Sequence, residues 1–240
     1  MEGKVYTPSA FLSLVPTFLN LKGLVSTYIC EVHRIIRDNI LKSKHIYDKR
    51  ELFTLSDGGQ IYLDFMGRRF VDDRPSDRPI VFILPGLTND SQQIWGINIV
   101  NESQRRGFDV CFINYRGLAN CKLATPKWYC AGSFQDFIEP MEYVTKRYGG
   151  ESKIFAFGVS LGANLLANML GQPDLPLRID AAVCFEAPMI LTECFEIVLY
   201  SLWGFYNRSL GKNLLKTIKK HEGDTEIMKK FKVDQGIDFL

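Results

Sequence analysis

The chain has 240 residues, 46% of them hydrophobic and 23% charged, with Lys+Arg 29 against Asp+Glu 27. Intrinsic disorder, which combines low hydrophobicity with high net charge, is excluded. A net charge of +2, with no basic stripe interleaved with aromatics, argues against a nucleic-acid partner. The length fits one domain or two small ones, large enough to build a core.

In chain order, the apolar run from Ser9 to Leu19 comes first. It holds Pro16 and ends at Asn20 and Lys22, well short of the about 20 apolar residues of a membrane span. It is expected to pack against the domain, or to lie on a membrane interface, within a helical extension over residues 1–49. No signal peptide or transmembrane helix is read in the chain.

Residues 50–240 read as the main domain. Glu51–Leu55, Asp57-Gly58-Gly59 and Ile61–Phe65 form an expected hairpin, with glycine supplying the turn. Arg68–Arg78 is charged and proline-broken, and is expected as a loop. Ile80–Leu84, Phe108–Ile113, Ile154–Phe157 and Ala181–Phe185 are continuous apolar runs, the pattern of parallel strands covered by helices on both faces. Ser133–Arg147 has apolar residues at Phe134, Phe137, Ile138, Met141 and Val144, a helical rhythm closing at Gly149-Gly150. Leu161–Leu170 is a second helix. Strand and helix thus alternate as in an α/β doubly wound domain. From about residue 189 the alternation gives way to helix-like sequence. Cys194–Phe205 reads as a buried or lid helix, and the lysine-rich stretch after it as an exposed helix face.

Six cysteines, none spaced C-x-x-C, fit a reducing compartment, and no metal site is expected. Cys111 and Cys184, inside apolar runs, are expected to be small core residues.

The sharpest chemical signal is Gly158-Val159-Ser160-Leu161-Gly162, a G-x-S-x-G between an apolar strand and a helix. That setting presents a serine on a strained turn above the sheet, as a nucleophile for acyl transfer requires. The alternative is an inert serine in a glycine-lined turn. Acyl transfer also needs amides for the oxyanion. The Leu161 N–H, directly after the serine, is one candidate. The Leu87 N–H, in Leu84-Pro85-Gly86-Leu87-Thr88 after the Ile80–Leu84 strand, is the other.

These motifs recur in one order: Leu84–Thr88, Asn114-Tyr115-Arg116-Gly117, Thr125-Pro126 with Tyr129-Cys130-Ala131-Gly132, and the Ser160 elbow. In that order the sequence resembles the α/β-hydrolase domain-containing esterases and lipases of the YheT-like branch, AB hydrolase family 4. The resemblance implies an α/β-hydrolase fold. It also implies hydrolysis of carboxylic esters such as monoacylglycerols, medium-chain esters or phospholipids, with no metal and no cofactor. The expected partner is a small-molecule ester or lipid, with room for peripheral membrane contact; the cysteine usage and the lack of a signal peptide point to the cytoplasm or the periphery of an intracellular membrane. One departure stands out: the family usually has a glycine where this chain has Asn89-Asp90.

The triad order in this fold is Ser, then Asp or Glu, then His. His221 is the sole histidine after Ser160, in a polar stretch that reads as solvent-exposed. Glu186 follows the Ala181–Phe185 strand as an acid without an imidazole to orient. The resemblance puts the acid and the histidine at the ends of two further strands, so the chain reads as C-terminally truncated, with Ala181–Phe185 left as an uncovered edge. The second reading is a catalytically inactive relative that binds lipid or protein.

Overall fold

A computed structural model of the chain describes residues 46–132, 134–200 and 204–221. Contacts divide Met1–Lys44 from His45–Leu240, and all that is described belongs to the second unit. The expectations for Ser9–Leu19 and for nearly all of the 1–49 extension lie outside the described residues.

The hairpin consists of β1 (Lys49–Thr54) and β2 (Gln60–Met66), paired antiparallel around the Asp57-Gly58-Gly59 turn. Then come β3 (Ile80–Leu84), α2 (Ile94–Arg105), β4 (Asp109–Ile113), α3 (Gln135–Val144), β5 (Ile154–Val159), α4 (Leu161–Leu170) and β6 (Ala181–Phe185). A short α1 (Arg68–Asp72) precedes β3, and α5 (Leu191–Tyr200) and α6 (Phe205–Lys219) follow β6. The six strands form one sheet in the order β1-β2-β4-β3-β5-β6. β2 meets β4 antiparallel, and β4, β3, β5 and β6 run parallel.

Side chains alternate across this sheet with the two-residue period of a strand. Ile80, Phe82 and Leu84 of β3, with Cys111 and Ile113 of β4, face a cluster holding Phe137, Met141 and Val144 of α3 and Leu165, Leu166 and Met169 of α4. Val81, Ile83, Val110 and Phe112 face the opposite way, towards Val100 of α2 and Tyr47. Helices therefore lie on both faces, as the continuous apolar runs imply. Cys111 is fully buried as expected.

Several expectations are corrected. Arg68–Arg78 is not wholly a loop, because α1 forms where Phe70 is buried against Phe65 and Tyr148. Beside it, Arg69 donates to Asp109 at 2.6 Å and to the Tyr148 carbonyl at 3.0 Å. Tertiary contacts override a charged, proline-flanked sequence. Helix α2, which holds Gly96, Asn98 and Asn101, was not among the expected elements. It forms because Gly96 lets it settle on Phe112, whose ring would lie 2.9 Å from a methyl there. The helix expected over Ser133–Arg147 begins at Gln135, contains Pro140 and widens into a π turn at Thr145–Gly149. Ser133 itself lies outside the described residues.

β6 is the edge of the sheet among the described residues, and all five of its residues are exposed, in line with the reading of Ala181–Phe185 as an uncovered edge. Cys184, expected in the core, is exposed with it. The Cys194–Phe205 stretch is not read as a buried helix: through Tyr200 it lies in α5, none of whose residues is buried. Lys212, Lys216 and Lys219 of α6 are exposed, the solvated face expected there. Among the described residues no helix is long and apolar enough to cross a membrane.

Candidate active site

Ser160 sits between the end of β5 and the start of α4 with φ 53° and ψ −118°. That region is sparsely populated by residues with a Cβ and costs about 1–3 kcal/mol, a strain typical of functional turns. The two glycines of the motif explain how the chain tolerates it. A methyl on Gly158 would stand 2.7 Å from the Ala163 Cα, and one on Gly162 only 2.3 Å from the Leu84 carbonyl oxygen and 2.4 Å from that of Pro85. Strand, elbow and helix approach so closely that no side chain fits between them. The Ser160 amide donates to the Phe185 carbonyl of β6 at 2.9 Å, and the Ser160 carbonyl accepts the Asn164 amide at 3.0 Å. The backbone of the elbow is thus tied on both sides, while its half-buried hydroxyl makes no hydrogen bond among the described residues.

The Leu84–Thr88 loop lies directly beside the serine. A methyl on Gly86 would stand 3.2 Å from Ser160 Cβ and 3.8 Å from its Oγ. The backbone turns here with the Asn89 amide donating to the Gly86 carbonyl at 3.1 Å. Thr88 takes a left-handed φ of 58° without being glycine. Asn89, which stands near the family's usual glycine, supports this shape. Its Nδ2 donates to the Leu87 carbonyl at 2.8 Å, and its Oδ1 accepts from the Trp95 Nε1 at 2.8 Å. Among the described residues, the Leu87 and Leu161 amides donate to no protein acceptor. The residue before Leu87 thus lies against the serine, and Leu161 follows that serine in the chain.

Sequence reasoning overlooked what holds that place together. Asn114-Tyr115-Arg116-Gly117 follows β4, and each residue secures a different element. Asn114 accepts the Ser91 amide at 2.9 Å and donates to Asp64 at 2.9 Å. Tyr115 donates to the Pro85 carbonyl at 2.7 Å. Arg116 grips Asp136 of α3 with two donors and Asp57 of the hairpin turn at 2.9 Å. Gly117 turns at φ 72°. Asp64, fully buried, also accepts from Arg50 at 2.6 and 2.8 Å and from the Ser91 hydroxyl. A lone carboxylate inside the apolar Ile61–Phe65 run was the available signal. Burial pushes the Tyr115 hydroxyl well up from its usual pKa, and that of Tyr129 up as well despite the opposing Thr88 amide. Both phenols stay protonated at neutral pH.

His221 is not the solvent-exposed side chain expected. It is half-buried, with its ring 5.5 Å from Trp128 and its Nε2–H donating to the Gly117 carbonyl at 2.8 Å. A ring nitrogen that donates to a carbonyl already holds its proton and cannot take one from a serine. Glu186 follows β6 with φ 52° and is exposed. Neither residue hydrogen-bonds to Ser160.

Residues 79–225 match the family described as alpha/beta hydrolase fold. The chain is 31% identical over 192 residues to phospholipase ABHD3 of Mus musculus, an alignment covering 78% of this chain and 46% of that protein. It is 30% identical over 158 residues to the monoacylglycerol lipase of Saccharomyces cerevisiae, covering 65% of this chain and 35% of that one. It thus spans less than half the length of these curated relatives. Among solved structures, the Pyrococcus furiosus esterase Pf2001 superposes with a TM-score of 0.53 at 18% identity, covering 72% of this chain and 63% of that one.

Proposed function

The chain belongs to the alpha/beta hydrolase fold family, and from that premise we propose that it is a serine hydrolase of carboxylic esters of the lipid type. Ser160 is the nucleophile, and its attack on an ester carbonyl gives an acyl-enzyme that water then hydrolyses. The amides of Leu161 and Leu87 receive the oxyanion. The substrate is a monoacylglycerol, a medium-chain ester or a phospholipid; the first and last are the chemistries named for the two curated relatives. The observation that carries this reading is the strained Ser160 backbone, held by glycine contacts against a loop whose Leu87 amide is unengaged.

Acyl transfer also needs a general base and a carboxylate to orient it. No histidine or carboxylate among the described residues bonds to Ser160, so we place both outside them. That same observation favours a second reading, a lipid- or protein-binding module that keeps the elbow without turning over. Labelling with a fluorophosphonate separates the two. The hydrolase reading expects labelling of the protein that Ser160→Ala abolishes, together with a loss of ester turnover of about 10⁶-fold. A protein that binds lipid ester yet neither labels nor hydrolyses it favours the binding module.

A further inference from the structure

The rings of Tyr115 and Tyr129 stack with centroids 4.3 Å apart and planes 20° apart. Tyr115 is 2% exposed and Tyr129 7%. Their hydroxyls reach the same loop. The Tyr115 hydroxyl donates to the Pro85 carbonyl at 2.7 Å, and the Tyr129 hydroxyl accepts the Thr88 amide at 3.1 Å. These two bonds bracket Leu87. Between them, the carbonyls of Gly86 and Leu87 are taken by the backbone and side chain of Asn89. The Leu87–Thr88 peptide is held at both of its polar ends, so the direction of the preceding Leu87 N–H has little freedom left.

We infer that the stacked Tyr115–Tyr129 pair is a clamp that aims the Leu87 amide at the oxyanion, making both tyrosines positioning residues for acyl transfer. This inference rests on the hydrolase reading and deepens it. Neither tyrosine touches the reacting atoms; each acts through the loop backbone. An oxyanion donor is effective because it is oriented before charge develops, so a loosened loop loses rate and not substrate affinity. The clamp also accounts for a non-glycine residue at the left-handed Thr88: the bond to Tyr129 holds that backbone in place. Phe137 of α3 packs edge-on against Tyr115 with centroids 5.3 Å apart, which transmits the rigidity of the helix to the pair.

Tyr115→Phe and Tyr129→Phe keep the rings and remove only the hydroxyls. The readouts are amide hydrogen exchange of Thr88, the rate of fluorophosphonate labelling at Ser160, kcat and KM on an ester, and the thermal midpoint. In Tyr129→Phe, exchange at Thr88 is expected to rise about tenfold and labelling and kcat to fall about tenfold, with KM and the midpoint nearly unchanged. Tyr115→Phe is expected to slow labelling similarly and leave Thr88 protected. Tyr129→Leu, which also loses the stack, lowers the midpoint as well. Phenylalanine variants that keep full Thr88 protection and full labelling rate overturn the clamp, because packing alone then suffices. A protein that labels in no variant while Thr88 protection still falls in Tyr129→Phe supports the clamp on the loop and overturns the hydrolase reading.

Discussion

Gly162→Ala adds one methyl where helix backbone presses directly on loop backbone. That methyl would lie 2.3 Å from the Leu84 oxygen, 2.4 Å from the Pro85 oxygen and 2.6 Å from the Leu84 carbonyl carbon, all backbone atoms with no rotamer to escape into. Contacts below 3.0 Å are essentially never seen for a real Cβ. Either α4 retreats from β3 by about 0.7 Å or the loop after β3 gives way. Overpacking of this kind costs about 1–3 kcal/mol. The same shift pulls Leu161 and Ser160 away from Gly86 and Leu87, and a displacement approaching 1 Å costs about a hundredfold in rate. Urea unfolding and fluorophosphonate labelling of Gly162→Ala measure the two effects. Gly132→Ala is the control, since a methyl there meets nothing within 4 Å. A Gly162→Ala protein with the parent's unfolding midpoint and labelling rate would refute the packing argument for the elbow.

Asp64→Ala removes the acceptor shared by Arg50, Ser91 and Asn114. It should cost about 3–5 kcal/mol in urea unfolding, because the buried donors lose their charge partner; a loss below about 1 kcal/mol contradicts the network. Burial pushes the Asp57 carboxyl up, but hydrogen bonds from Lys127 and Arg116 outweigh it and hold the group well below the usual carboxylate range. A depressed folded-state pKa contributes stability above the unfolded value and loses it as pH falls below about 4. The stability gap between the parent and Asp57→Asn should accordingly be present at neutral pH and close in acid, and a gap that widens in acid contradicts the ion pairing. Burial raises the thiol of Cys121 to about 11 and that of Cys111 well up, whereas Cys130 is exposed. Iodoacetamide at neutral pH should modify Cys130 in the folded protein and reach Cys111 and Cys121 only after unfolding, which peptide mapping checks.

What the sequence discloses is largely local. The elbow is legible because Gly158, Ser160 and Gly162 carry their own steric logic within five residues, and Leu161–Leu170 is bounded by that elbow and by Gly171. Strands β3 and β4 are legible because both faces are buried and every residue is apolar or nearly so. At β6 the apolar run says only what the strand is able to bury, and its exposure follows from its place at the edge of the described sheet. Helix α2 is hidden because its glycine and asparagines weigh against helix locally and are outweighed by Phe112 across the sheet. The supports of the Leu87 loop are hidden for a related reason. Tyr129 reaches Thr88 across 41 residues and Tyr115 reaches Pro85 across 30, so neither link has a local signature. His221 looks polar and free in its sequence neighbourhood, and only the fold brings Gly117 and Trp128 to it.

A crystal structure of the phosphonylated protein tests the arrangement most directly. The adduct should form on Ser160 Oγ, with its phosphonyl oxygen within about 2.7–3.1 Å of both the Leu87 and Leu161 nitrogens. An adduct on another residue, or one on Ser160 whose oxygen turns to solvent while both amides stand idle, would contradict it.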